Sequence, residues 1–371
     1  MEQVRLPRPS ECAMPGVHSD MCIVRVRRTH LVEDALEELG RQVKSDLLKP
    51  LRVHFIGEEG IDAGGVKKEF FALLMERLLR PDYGMMLYDE TSRTYWFNPA
   101  SLEPPDSYFL LGLVLGLAVY NRVLLAFPAP LLLYQKLRGA REPGLRDLET
   151  WQPELARGLK QLLEYNGPEP VSEVFGLTFS VDVDRFGHKE TVPLKPGGEV
   201  IAVTETNRAE YVALLASWYL GGAVASQFEA FAAGFRTVCA GPTLVLFNAQ
   251  ELERLVCGSP RLDFAALRDS ARYEGGYGRD SRVVGWLWEV VLQELSEERA
   301  FLKFFTGSDR SPQGGLGSLR PVIQRDGPDS HKLPTAHTCF NTLLLPEYGS
   351  PTKLAALLRL AINNSEGFGL Q

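Results

Sequence analysis

A histidine and a cysteine stand two positions apart in "KLPTAHTCFNTLLLPEYGS", Lys332 to Ser350, with Leu333 and Pro334 ahead of them and a leucine run behind. A thiol reacts as its thiolate, and a neighbouring imidazole can draw the thiol below its usual pKa near ~8.5 or relay its proton. If "AHTCFN" is extended, His337 and Cys339 project to one side and Thr338 and Phe340 to the other. Two nucleophilic chemistries compete for such a pair. A cysteine protease brings its histidine from a distant segment with an Asn or Asp to orient it, and neither the caspase nor the papain local signature occurs. "CGSPR" at Cys257 imitates only the first half of the papain pattern. Acyl transfer between thiols asks for less: hold an acyl group as a thioester, keep water off it, and deliver it to an amine. The blander reading is that Cys339 is a small buried hydrophobe and His337 caps a loop.

Composition narrows the setting. With 371 residues the chain exceeds one comfortable core, so two compact units are expected. Apolar residues at 45% and charged residues at 23% match ordinary globular proteins and exclude a disordered or fibrous chain. A net charge of −7 without a long Lys/Arg block argues against a nucleic-acid partner. The five cysteines, Cys12, Cys22, Cys239, Cys257 and Cys339, are odd in number and contain no C-x-x-C pair, against both a disulfide scaffold and a structural zinc site. "MEQVRLPRPSECAMPG" has charge and proline where a secretory signal has an apolar core, so a reducing compartment, cytosol or nucleus, is the reading. "YFLLGLVLGLAVY", Tyr108 to Tyr120, falls short of the ~20 residues of a membrane span and reads as a buried helix.

The elements that must position Cys339 follow from periodicity. Val32, Leu36, Leu39 and Val43 lie at helical spacing, and Leu51, Val53 and Phe55 then alternate as in a strand. The loop "GEEGIDAGG" lacks both the Lys-Ser/Thr of a P-loop and G-x-G-x-x-G spacing, so it reads as a turn before a helix from about Val66 to Leu79. Further helices are expected from Tyr108 to about Leu125, Pro153 to about Tyr165, Arg208 to about Leu220 and Ser226 to about Val238. Leu177, Phe179, Val181 and Val183 alternate before Gly187, the pattern of a hairpin. The small residues around Cys257, Gly258 and Ser259 suggest a hinge. After it come an aromatic helix in "RVVGWLWEVVLQEL", strand-like "RPVIQ", and a last helix with Ser350 as N-cap and Pro351 at its first position.

"LPTAHTCFNTLLLPEY" resembles the active-site segment of the HECT-type ubiquitin ligases, and the likeness extends through "FTGSDRSPQGGLGSL", "GPDSHKLP" and "AINNSEGFGL". Upstream, "GEEGIDAGGVKKEFF", "YWFNP", "LGLVLGLAVYN" and "LLEYNG" resemble the larger lobe of the same domain, so the resemblance runs from about Met21 to the end. Among subclasses the chain is most similar to the papillomavirus oncoprotein-associated ligase and its relatives. Full family members carry long substrate-recruiting regions ahead of this domain, and the resemblance places none within these residues.

The resemblance implies an α+β, bilobal fold: a leader at 1–20, a large mainly helical N-lobe at 21–256, a hinge near 257–259, and a smaller α/β C-lobe at 260–371. It implies that ubiquitin passes from a conjugating enzyme to Cys339 and then to a substrate lysine, with no cofactor and no metal. It places His337, Thr338, Phe340, Glu58 and Glu69 near that chemistry, while a Glu in a turn or first helical turn is ordinarily solvated or capping. Ala126 stands where close relatives carry an acidic residue, which withdraws one carboxylate from the set. For the conjugating enzyme the resemblance implies a groove of Leu155, Leu159, Phe175, Leu177, Tyr211 and Leu215, although helical pairs at that spacing are also what a core produces. Phe368, between two glycines, is implied to seat when the loaded small lobe turns to the lysine. A module of the same fold that binds ubiquitin or the conjugating enzyme without turnover, or a thiol hydrolase, are the rival functions.

Overall fold

The computed structural model describes residues 20–58, 65–139, 142–185, 188–241, 244, 246–295 and 298–367. Gly60 and Gly64 of the loop, the hairpin turn at Gly187, and Phe368 lie outside the described residues. Helices with several small sheets make an α+β fold. By compactness the chain forms two units, 1–74 with 118–126 and 254–371, and 75–117 with 127–253. This partition concerns packing; the joint suggested at 257–259 concerns motion.

The first unit opens with a β-α-β arrangement. Cys22–Val26 runs parallel to Leu51–Phe55, and the Leu31–Arg41 helix connects them. Cys22, Val24 and Val26 are all buried, so the opening strand also has period two. In the C-terminal part, a four-stranded sheet has the order Arg272–Glu274, Val322–Arg325, Thr342–Leu345, Thr335–His337. Its first two pairings are parallel and the edge pairing is antiparallel. Leu287, Phe301, Phe305, Ile323, Leu343 and Leu358 form the center of its core. The last helix, Pro351–Gly367, starts as its sequence predicts: the Lys353 amide donates to Ser350 Oγ at 3.2 Å.

In the second unit, Phe97 of the hairpin Met86–Asp89/Thr94–Phe97 meets Tyr108 of the Pro105–Tyr120 helix at 6.0 Å. That helix meets Ala225–Val238 backbone to backbone. A Cβ on Gly112 would lie 1.9 Å from the Phe231 carbonyl oxygen, and one on Gly234 would lie 2.0 Å from that of Phe109. "LGLVLG" is therefore apolar because both sides are buried, and glycine-bearing because a neighbouring helix touches its backbone.

Three expectations are corrected. The helix expected to reach Leu125 ends at Tyr120, because Arg122 takes φ 57° and the Leu125 amide instead donates to Val256 O at 2.9 Å. The hairpin strand begins at Ser180, because Leu177 and Phe179 bond the Ile201–Val203 segment. The aromatic helix ends at Glu289 and widens into a π turn, Val290–Glu294.

Gly112→Ala should lower the melting temperature by about 4–10 °C, since overpacking a core costs ~1–3 kcal/mol or more. Gly158→Ala, where an added Cβ meets nothing within 4 Å, is the control and should melt within about 2 °C of the parent. Equal melts for the two variants would remove the close helix contact as the constraint.

Candidate active site

Cys339 lies in a turn between two antiparallel strands. His337 pairs with Thr342, leaving Thr338, Cys339, Phe340 and Asn341 as a four-residue connection, of which the first three form a single 3-10 turn. The extended reading of "AHTCFN" holds only through His337, so the inference that His337 and Cys339 project to one side is corrected. The backbone must reverse there to form the antiparallel pair, and Asn341 makes the reversal at φ 49°. Asn tolerates this left-handed conformation better than most residues.

The turn is tied from several sides. Asn341 Nδ2 donates to Leu319 O at 3.1 Å, and the Val322 amide donates to Asn341 O at 2.9 Å. Lys68 Nζ donates to Thr338 O at 3.1 Å and lies 3.5 Å from Asn341 Oδ1. Gly307, at φ 80°, passes under Thr338, where an added Cβ would sit 3.4 Å from the threonine Cβ. His337 is exposed on the edge strand, and Phe340 is 57% exposed, unusual for a large apolar side chain. The Cys339 side chain is outside the described set.

The two acidic candidates share one arginine. Arg28 binds Glu58 through two nitrogens, one at 3.0 Å, and Glu69 through a third at 2.8 Å. Its guanidinium also covers the Phe55 ring at 4.1 Å. The Arg28 hydrogen bond holds the Glu58 carboxyl below the usual carboxylate range, so Glu58 is an ionised acceptor and a weak base. Arg28 and Lys68 were not singled out from sequence; an isolated basic residue carries no local signal of this kind. Asn341 did carry one, as an Asn between two strand patterns.

Other described thiols are chemically quiet. Burial, followed by the charge of Asp46, pushes Cys22 up to about 11, and burial pushes Cys239 up to about 11. Cys257 is buried at the end of the Ala249–Cys257 helix. The next residue, Gly258, takes φ 74°, and a Cβ there would stand 2.7 Å from Ser311 O. Ser259 and Ser311 exchange backbone hydrogen bonds at 2.7 and 3.0 Å. A proline at Gly258 would therefore lose the bond to Arg254 O and force φ negative, a larger change than stiffening a joint.

The six groove candidates divide. Leu155, Phe175 and Leu177 are half-buried, whereas Leu159, Tyr211 and Leu215 are 5%, 4% and 4% exposed. Phe175 meets Tyr165 edge-on at 5.5 Å, and Tyr211 meets Phe179 in the same way at 5.5 Å. Among the described residues, no group of three or more His, Cys, Asp or Glu side chains could hold a metal ion, and no helix is long and apolar enough to cross a membrane.

Cys339 thus lies in a turn flanked by exposed His337 and Phe340, while burial raises the Cys22 and Cys239 thiols. The chain belongs to the HECT-domain (ubiquitin-transferase) family, whose profile matches residues 72–371. The probable E3 ubiquitin-protein ligase HECTD2 of Mus musculus is 43% identical over 362 residues, 94% of this chain and 46% of that protein. The probable E3 ubiquitin-protein ligase HERC4 of Rattus norvegicus is 40% identical over 374 residues, covering 100% of this chain and 35% of that protein. The probable E3 ubiquitin-protein ligase HUL4 of Eremothecium gossypii is 38% identical over 364 residues, 94% of this chain and 43% of that protein. The chain thus spans less than half the length of these relatives.

Two measurements follow from these placements. Tyr211→Ala should lower the melting temperature by roughly 6 °C or more, as deletion of a buried ring costs ~3–5 kcal/mol, whereas Phe175→Ala should shift it by less than about 3 °C. Similar shifts would contradict the division. The second concerns pH. The unfolded chain ionises its thiols from about pH 8.5, while folded Cys22 stays protonated to about 11, so its contribution to stability is full below the lower value and is lost as pH rises. Urea melts of Cys22→Ala should show a flatter decline between pH 8 and 10 than the parent, and an equal decline would exclude this thiol as a cause.

Proposed function

We propose that this chain accepts ubiquitin as a thioester on Cys339 from a ubiquitin-conjugating enzyme and transfers it to the lysine of a protein substrate. The observation that carries the reading is the placement of Cys339 on an externally tied hairpin turn in a HECT-family chain. The Cys339 thiolate attacks the donor thioester carbonyl, a tetrahedral oxyanion forms, and the conjugating enzyme's thiolate leaves. One thiolate replaces another, so this step is near-neutral in energy. A lysine amine then attacks the Cys339 thioester and loses a proton, and the Cys339 thiolate departs as the isopeptide forms.

His337, exposed two residues from the thiol, is the group proposed to handle protons, with Thr338 and Phe340 flanking the acyl group. Glu58 and Glu69, shared by Arg28, are proposed to face the incoming lysine, Glu58 as an ionised carboxylate rather than a strong base. The conjugating enzyme is proposed to dock on the half-buried side chains Leu155, Phe175 and Leu177, with Leu159, Tyr211 and Leu215 supporting them from beneath. The N-lobe is proposed as 21–256 and the C-lobe as 260–371, with motion about Cys257, Gly258 and Ser259. Phe368 is proposed to seat only in the transfer step. Within the family, the motifs around Cys339 support a place beside the papillomavirus oncoprotein-associated ligases. The scattered cysteines, without a C-x-x-C pair, support a reducing compartment, cytosol or nucleus.

The test is a non-reducing gel of the protein with activating enzyme, a panel of conjugating enzymes, ATP and ubiquitin. A reductant-sensitive adduct should form and vanish in Cys339→Ala; an adduct that persists in that variant would overturn the assignment. Release of free ubiquitin without isopeptide would make the protein a thiol hydrolase. In the same assay, Phe368→Ala should load normally and discharge to lysine more slowly, and equal discharge rates would remove its proposed role.

A further inference from the structure

Thr338 and Asn341, the first and last residues of the turn that carries Cys339, face the same ammonium. Lys68 Nζ lies 3.1 Å from Thr338 O and 3.5 Å from Asn341 Oδ1. The turn closes itself poorly. Its own backbone bond, Asn341 N to Thr338 O, is 3.4 Å long, and the Thr342 hydroxyl reaches Phe340 O only at 3.4 Å. Both are stretched beyond the usual range for good hydrogen bonds. The Asn341 end has strong ties to Leu319 and Val322, whereas at the Thr338 end the shortest described bond is the one from Lys68. Charge-assisted bonds of this kind are stronger than neutral ones.

The carbonyl that Lys68 binds belongs to the peptide unit whose nitrogen is that of Cys339. A bond to that carbonyl therefore fixes the plane of the backbone entering Cys339. Lys68 is itself held on a fixed element: it lies in the first turn of the Gly65–Leu78 helix, and its neighbour Glu69 is anchored by Arg28. A cation at this place also favours a thiolate over a thiol.

We propose that Lys68 is a positioning residue for the acyl transfer, clamping both ends of the 338–341 turn so that Cys339 is presented in one reactive orientation. The proposal rests on Cys339 as acyl acceptor. Lys68 acts through the turn in the arrangement that brings the Gly65–Leu78 helix to it, and so governs the rate at which bound donor is accepted rather than how tightly the donor binds.

The experiment uses the full chain as parent, Lys68→Met and Lys68→Arg. Single-turnover loading is measured over a range of charged conjugating enzyme, beside thermal melts and the rate of Cys339 alkylation by iodoacetamide at pH 7.5, read by peptide mass spectrometry. Lys68→Met should cut the maximal loading rate and the alkylation rate about tenfold, the effect of ~1.4 kcal/mol on a barrier. The half-saturating donor concentration should stay within about twofold and the melting temperature within about 3 °C. Lys68→Arg should recover most of both rates by restoring the cation. Parental loading and alkylation in Lys68→Met would overturn the proposal, as would a loss that Lys68→Arg fails to restore and that accompanies a lower melting temperature in both variants. If the parent forms no Cys339 adduct, the ubiquitin reading of the site fails, and unchanged alkylation in Lys68→Met would then sink the clamp as well.

Discussion

The turn that carries Cys339 is flanked by exposed His337 and Phe340, so backbone pairing rather than burial secures it. The antiparallel pairing of His337 with Thr342 leaves four residues to reverse the chain, and Asn341 takes the left-handed conformation that completes the reversal. Every other feature of the site is arranged around that turn. The parallel pairing of Thr342–Leu345 with Val322–Arg325 fixes one flank of the hairpin in the core of the C-terminal part. Leu343 and Leu345 are fully buried, so a one-residue slip of register would drive them to the surface, and the turn inherits its position from this penalty.

Charge is distributed in the same economical way. Arg28 serves two carboxylates and an aromatic face at once, and its bond to Glu58 holds that carboxyl below the usual range. These pairs are exposed, and their contribution to folding stability is small. The adjacent Lys68 bonds the Thr338 carbonyl. Burial acts on the thiols, since desolvation raises Cys22 and Cys239 far above neutral pH.

Within the second unit, one pair of helices shows how function and core share residues. Tyr211 and Leu215 were legible as a helical pair, yet periodicity could not say which neighbour covers them. Phe179 covers Tyr211, and the accessible part of the proposed docking surface falls to Leu155, Phe175 and Leu177. Buried and partly accessible members of one stripe have the same spacing in sequence, because the period reports a face and not its occupant.

The sequence by itself determined the fold class, most helices, the N-cap at Ser350, the family motifs and the identity of the reactive thiol candidate. Those are local properties: a cap needs three residues, an amphipathic helix a dozen, and a motif its own neighbours. Tertiary structure alone decided that "AHTCFN" bends after His337, because the reversal is imposed by pairing with Thr342 across the turn. It decided that the Tyr108 helix stops at Tyr120, where the following residues bond Val256, more than a hundred positions away. It alone joined Arg28 to Glu58 and Glu69, and Lys68 to Thr338, which is 270 positions distant. A side chain's type announces what it can bond, but the partner is chosen by which segments the packed core brings together.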